Sequence, residues 1–303
     1  MLDVTRLRAL NAVRLHGSLS AAARALNYTQ PAVSHHIRKL EDDLRVRLLD
    51  RGPRGVTLTE AGVALALHAE EVLARLARAE EEVCAIASST GRRVRLASFP
   101  SAMATLVPDA IARLAVTQPD CHITLVEAEP PESVSMLAAG DVDVALTFDY
   151  DGASAEEIDG YTTVPLRHDF LFAVLAGDHP LAEQGGDLDL AGLAGERWIV
   201  GCARCREHLL TACAGVGFAP DVVVATDDYV AVQSLVARSV GVSLLSELAL
   251  RAYRNPQVTV RPVSPSLGRR VSAVIPVPPV SQGVTALMTA LTTAADASTD
   301  SSF

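Results

Sequence analysis

Two groups of side chains in this chain have the types and spacing to do chemistry. Gln30, Ser34, His35 and Arg38 recur at intervals that set them along one side of a helix, and each can hydrogen-bond base edges or phosphate oxygens. Cys202-Ala-Arg-Cys205-Arg206 places two thiols beside two guanidiniums where a helix should begin. A thiolate in such a setting has a lowered pKa and reacts readily. Three chemistries stay open for this second group: inert or ligand-lining cysteines, a redox pair, or a metal site. Zinc asks for four ligands, and one Cys-x-x-Cys with no paired His or second Cys-x-x-Cys is a weak signal. His35-His36 also offers ring nitrogens, but next to Ser34 a base or phosphate contact fits better. The expectation is therefore no metal and no cofactor.

The elements that position the first group are legible around it. Ser20 is read as the N-cap of a short helix over Ala21–Leu26, and Asn27-Tyr28 breaks it. Thr29 caps a second helix, with Pro31 in its first turn where a missing N–H does little harm. Val33, Ile37, Leu40 and Leu44 recur at spacings of four, three and four, giving that helix one apolar face. The opposite face carries the polar side chains. A supporting helix precedes them at residues 4–16, with Leu7, Leu10 and Val13 inward. Gly52, Pro53 and Gly55, flanked by Arg51 and Arg54, read as the tip of a β-hairpin wing. This is a winged helix-turn-helix, in which one stripe holds the second helix on its scaffold and the other enters the major groove. Thr29, Gln30, Pro31, Ser34, His35, Arg38, Arg51 and Arg54 are the expected DNA-contacting residues, the two wing arginines on backbone or in a narrow minor groove.

The pattern Ser-x-Ala-Ala-Ala-x-x-Leu, then Thr-Gln-Pro-Ala-Val-Ser-x-x-Ile-x-x-Leu-Glu, then Leu-Leu-x-Arg and Leu-Thr-x-Ala-Gly resembles the LysR-type bacterial transcriptional regulators. The specific motifs lie within the first 62 residues, although the resemblance extends over nearly the whole chain. Many relatives carry Arg or Gln at the His35 position, which bears on base preference there.

Charge agrees once it is divided. The chain carries −10 overall, but residues 1–60 hold ten Arg/Lys against six acids, so this part is +4 and the remainder −14. Such asymmetry is expected when one end meets nucleic acid and the rest repels it. Lys39 is the only lysine, so arginine, which grips phosphate bidentately, carries nearly all the positive charge. No uncharged apolar run reaches about 18 residues and no basic segment precedes an apolar one at the start, so a cytoplasmic location without membrane contact is expected. The five cysteines form no recognisable disulfide framework.

From Thr59 to Ser88 one long helix is expected. Leu65, Ala69, Val72, Leu76, Ala79, Val83 and Ile86 follow a 4-3-4-3-4-3 spacing, a heptad seam suited to a partner helix. Ser88-Ser89-Thr90-Gly91 reads as a hinge, after which strands and helices alternate, as in βα units with parallel sheets. The fold class expected is α/β: a winged helix-turn-helix over residues 1–59 (its core at 19–38), a linker and dimerisation helix over 60–90, and a two-lobed effector domain. One lobe takes 91–165 and 266–296, the other 166–265, leaving a frayed tail at 297–303. The family resemblance implies a type II periplasmic-binding-protein fold for that domain, with a small-molecule effector between the lobes and dimers that pair into a homotetramer.

Ligands in open α/β sheets sit beyond the carboxyl ends of strands. The first effector strand ends at Ser98, Ser101 follows where a helix could start and favour an anion, and another strand ends at Thr147. Across from them stands Cys202. The resemblance implies effector contacts at Ser98, Ser101, Thr147 and Cys202, and the neighbouring guanidiniums suit a small anion. Promoter DNA, an effector, a second copy of the chain and RNA polymerase are the partners implied, and no enzymatic activity is expected. The alternatives are a thiol-based redox-sensing regulator, a small-molecule binding protein without DNA function, and an enzyme such as a thiol peroxidase centred on Cys202.

Overall fold

The computed structural model describes residues 2–52, 55–88, 92–152, 158–278 and 280–297 of the 303. They fall into two compact units, one essentially residues 2–88 and the other the rest.

In the first unit, α1 (Val4–His16) is capped by Asp3, whose carboxylate accepts from the Thr5 and Arg6 amides. Next come α2 (Leu19–Ala25) and α3 (Gln30–Leu44). The cap of α2 is Ser18 rather than Ser20: the Ser18 hydroxyl accepts from the Ala21 amide at 3.1 Å, and Ser20 is exposed in the first turn. The helix starts earlier because Leu19 is needed in the core. Thr29 caps α3 as expected, accepting from Ala32. Val33, Ile37 and Leu40 have no exposed surface and pack with Leu7, Leu10 and Val13. Leu44 departs from the expected stripe and is 40% exposed, because the helix is ending: Arg45 takes left-handed backbone at φ 55°.

Strands β1 (Leu49–Gly52) and β2 (Gly55–Leu58) pair antiparallel as the wing. Glu41 joins α3 to this hairpin, its carboxylate accepting from the Leu48 and Leu49 amides at 2.8 and 3.1 Å. Helix α4 (Glu60–Ser88) begins after Thr59, whose hydroxyl accepts from the Gly62 amide and donates to the Arg47 carbonyl. A Cβ on Gly62 would overlap the Leu48 carbonyl oxygen, so only glycine lets α4 lie this close to the chain entering the wing.

The expected seam of α4 divides in two. Ala66 and Ala69 are buried in the core of this unit with Leu65 against it, whereas Val72, Leu76, Ala79 and Val83 are exposed. The side chain of Ile86 lies outside the described residues, as do Ser89, Thr90 and Gly91 of the expected hinge.

The second unit runs β3 (Arg92–Ser98), α5 (Pro100–Met103), α6 (Leu106–Thr117), β4 (Cys121–Glu127), α7 (Glu132–Ala139), β5 (Val144–Tyr150) and β6 (Tyr161–Ala176). After β7 (Leu188–Asp189) and a 3-10 turn come β8 (Arg197–Val200), α8 (Ala203–Gly215), β9 (Asp221–Ala225) and α9 (Tyr229–Val236). The order then closes with β10 (Ser243–Ser246), α10 (Glu247–Ala252), β11 (Val258–Ser264), β12 (Gly268–Pro276) and α11 (Gln282–Ala297). Residues 298–303 of the expected tail are outside the described residues.

The sheet order is β4-β3-β5-β12-β6-β11-β7, with β10 also on β6. It is mixed: β3 is parallel to β4 and β5, while β12 runs antiparallel to both β5 and β6. The parallel pairing expected from the βα alternation holds for β3, β4 and β5, and two strands that cross between lobes add the antiparallel part. Sixteen-residue β6 pairs with β12 over Tyr161–Phe170 and with β10 and β11 over Leu171–Ala176. The expected lobe boundary at 165/166 falls inside this strand, because one continuous strand serves both lobes. The helical segment after β3 is broken at Ala104–Thr105 into α5 and α6.

The first lobe's core lies between β3, β5 and β12 (Val94, Leu96, Leu146, Val271, Ala273) and helices α6 and α11 (Leu106, Leu114, Leu287, Leu291). The second lobe packs Leu175, Leu190, Leu193, Trp198, Leu209 and Cys213.

Candidate functional site

Helix α3 presents one face to solvent. Gln30, Pro31, His35 and Arg38 are exposed, on the side away from Val33, Ile37 and Leu40. Ser34 is a correction: it is 7% exposed, turned toward the domain beside Val33 rather than outward with His35. His36 sits partly covered against Tyr28, with ring centroids 5.9 Å apart. Arg38 lies on the same exposed side, and Arg6 ties α1 to the far end of α3 through Asp43 at 2.6 Å. The side chain of Arg51, and all of Pro53 and Arg54, lie outside the described residues.

A second arrangement lies in the effector unit, where a cavity of about 80 Å³ opens between the lobes. Its walls include Ser101, Glu129, Tyr150, Cys202, Cys205, His208 and Arg269. Arg269 is its electrostatic centre. Nε donates to Asp169 at 2.8 Å, and Nη2 donates to the hydroxyls of Ser101 and Ser246 at 2.9 and 3.0 Å. The guanidinium also lies 4.2 Å from the Phe148 ring centroid and 5.0 Å from that of Phe99. Arg204 covers Phe148 at 5.2 Å and pairs with Asp149 at 2.9 Å. Both guanidiniums are therefore committed to carboxylates, and the small anion expected from the sequence would meet charges already balanced.

The thiols are the reactive groups of this cavity. Cys202 is the N-cap of α8, its sulfur accepting from the Cys205 amide at 3.4 Å, and the two sulfurs are 2.8 Å apart. The Cys202 thiol keeps its proton: its hydrogen bond to Cys205 and burial both push its pKa up. Cys205 goes the other way, to about 6, chiefly because Cys202 donates to it. Burial opposes this shift, and the Tyr150 hydroxyl and Arg269 charge assist it. Glu129 is raised to about 7, first by burial and then by the charge of Cys205. One carboxyl oxygen of Glu129 and Nε2 of His208 are buried without a hydrogen-bond partner. The His208 ring stacks on Tyr150 at 3.9 Å, and burial lowers its pKa, keeping it neutral. Cys213 lies apart in the second lobe's core, its thiol raised to about 11 by burial. Among the described residues no group of three or more His, Cys, Asp and Glu is placed to hold a metal ion, and no helix is long and apolar enough to cross a membrane.

Comparison with known proteins matches both units. Residues 4–63 fit the family described as bacterial regulatory helix-turn-helix protein, lysR family, and residues 87–296 fit the LysR substrate binding domain. The chain belongs to the LysR family of transcriptional regulators. Among its relatives, the small neutral protease regulatory protein of Streptomyces coelicolor is 31% identical, with 84% of this chain and 83% of that protein covered. The HTH-type transcriptional regulator YvbU of Bacillus subtilis is 26% identical over 91% and 92%. The DNA-binding transcriptional dual regulator OxyR of Escherichia coli is 28% identical over 84% and 82%. Solved structures agree on the fold: the LysR family regulator CbnR superimposes with a TM-score of 0.65 at 20% identity, covering 97% of this chain and 99% of that one. A structure of CbnR with its target DNA gives 0.65 at 19% identity, covering 97% and 100%.

Of the four effector residues expected in this LysR-type regulator, the structure brings Ser101 and Cys202 to one cavity. Ser101 is turned onto Arg269, and α5, at four residues, is too short to act as the anion-favouring helix end foreseen there. Ser98 is fully buried, donating to the Phe99 carbonyl, and Thr147 is 7% exposed in β5; neither lines the cavity. Sequence reasoning missed Glu129, Tyr150, Asp169, His208 and Arg269. Only Arg269 left a trace, since it shares strand parity with the buried Val271, Ala273 and Ile275 while Arg270 points outward.

Proposed function

We propose that this LysR-type regulator reads promoter DNA through Gln30, Pro31 and His35 of α3, with Thr29 and Arg38 on the phosphate backbone. Arg51 and Arg54 of the wing follow the flanking duplex. The observation that carries the reading is the division of α3: three side chains with no exposed surface lock one face, and the hydrogen-bonding side chains stand free on the other. That division is what a helix held in a major groove needs. Selection of bound sequences from random duplex, using the purified full chain, tests it. Enrichment of a motif that Gln30→Ala relaxes is the expected result, and retention of all duplexes alike overturns it.

Self-association through α4 belongs to the same proposal. The exposed stretch Val72, Leu76, Ala79 and Val83 is an apolar seam without a cover in the single chain, and a second copy of the same helix supplies one. A dimer sets two reading helices on half-sites about one turn, ~34 Å, or a multiple apart. Pairing of such dimers into a homotetramer, and contact with RNA polymerase in the cytoplasm, complete the proposal.

The effector is proposed to be small and polar. A cavity near 80 Å³ is far below the roughly 300–1,000 Å³ of ordinary ligand pockets, and its unpartnered groups are a carboxyl and an imidazole nitrogen. The regulator works by binding and switching, not by turnover.

A further inference from the structure

The cavity between the lobes is acidic once its ion pairs are set aside. Arg269 meets Asp169 at 2.8 Å and Arg204 meets Asp149 at 2.9 Å, so neither guanidinium leaves a free positive charge. Glu129, the exposed Asp227 and the Cys205 sulfur remain, all of them groups that become anionic. Two polar atoms of the lining are buried without a hydrogen-bond partner among the described residues: one carboxyl oxygen of Glu129 and Nε2 of His208. An orphaned buried polar atom is costly, so a molecule that pairs with both is held by what the empty cavity lacks.

We propose that the effector taken by this cavity is a small protonated amine, whose N–H groups donate to the Glu129 carboxylate and to Nε2 of His208. The inference rests on the effector reading given above and names the class of molecule that site takes. A protonated amine carries donors and positive charge together. A carboxylate ligand would set its oxygens against Glu129, and a neutral alcohol would leave the acidic excess unbalanced.

Three features favour this class. Burial keeps His208 neutral, so one of its ring nitrogens accepts, and stacking on Tyr150 at 3.9 Å fixes the plane of the ring. Size sets an upper limit: about 80 Å³ admits an amine of a few heavy atoms and excludes an aromatic amine or a polyamine. Glu129 is held near 7 by burial and by the charges of Cys205 and Asp227, against Arg269 and Arg204. A cation beside it draws its proton off, so affinity should be low in acid and rise until pH passes about 7. A bare metal ion fits less well, since among the described residues no three His, Cys, Asp or Glu groups are placed to hold one.

Calorimetric titration of the reduced full chain tests this, with methylammonium chloride as probe at fixed ionic strength. Sodium acetate supplies the opposite charge, and tetramethylammonium chloride supplies the charge without donors. Methylammonium should bind at least about tenfold more tightly than either, and Glu129→Gln should weaken it at least about tenfold. His208→Phe, which keeps a ring against Tyr150 and removes the acceptor, should weaken it by about fivefold or more. Between pH 5.5 and 7.5 the affinity of the native chain should rise more than about tenfold, and Glu129→Gln should remove most of that rise. No methylammonium binding, equal binding of tetramethylammonium, tighter binding of acetate, or folded Glu129→Gln and His208→Phe that both bind like the native chain overturns the proposal. Selection of DNA sequences is measured on the same preparation. A protein that selects DNA but takes no amine leaves the regulator reading standing; one that takes the amine and selects no DNA sinks the regulator reading alone.

Discussion

Arg269 and Asp169 form an ion pair between the two crossing strands, β12 and β6, with Asp169 wholly buried and Nε of Arg269 2.8 Å from its carboxylate. The other Asp169 oxygen accepts from the Leu248 amide at the start of α10, so the pair also anchors that helix. Removing one partner strands the other charge in an apolar interior. Arg269→Met should therefore destabilise the effector unit by about 3–5 kcal/mol, read by urea denaturation, whereas Arg269→Met with Asp169→Leu should recover much of it. Equal losses in the single and double variants would contradict a coupled pair.

Gln30→Ala should weaken binding to the cognate fragment by ~1–3 kcal/mol and broaden base preference at one position. Arg38→Ala should weaken all duplexes alike and reduce the slope of log affinity against log salt by about one. Gel-shift titrations across a salt series distinguish the two; identical behaviour would remove the separation of base and backbone roles along α3.

Leu76→Glu puts a charge on the exposed half of the α4 seam, 39% exposed in the single chain. Sedimentation should show self-association weakened more than about tenfold, a shift near 1.4 kcal/mol, with unchanged helix content. An unaltered oligomer would place the interface elsewhere.

Gly62→Ala drives a methyl into the Leu48 carbonyl oxygen, which is backbone and cannot turn aside. The expected cost is about 1–3 kcal/mol in the DNA-binding unit, measured as a lowered unfolding midpoint. A neutral substitution would show that α4 can shift away without loss.

Burial raises Glu129 to about 7 in the folded chain, above its ordinary value of 4.5. Its contribution to stability is thus full at acid pH below 4.5 and declines as pH rises through about 7, where the folded state must ionise a buried carboxyl. Unfolding midpoints of the native chain should fall over that window, and Glu129→Gln should flatten this part of the profile. Parallel curves for both proteins would place the titration on another group.

The sequence alone determined the DNA-binding unit almost completely, because its signals are local. A cap at Thr29, a proline in the first turn, and Val33, Ile37 and Leu40 at helical spacing each report on neighbours within a few residues. Even there, Ser34 and Leu44 were misplaced, since whether a side chain at the edge of a stripe is covered depends on the packing of α1 and the end of α3. Strand and helix alternation likewise disclosed an α/β effector domain. Tertiary structure alone decided what that domain's cavity contains. Glu129, Tyr150, Arg269 and the α8 pair Cys205 and His208 come from segments spread over about 140 residues, and no periodicity links those segments. Their meeting depends on β6 and β12 crossing antiparallel between lobes, a pairing of residues about 100 apart that leaves no local pattern to read.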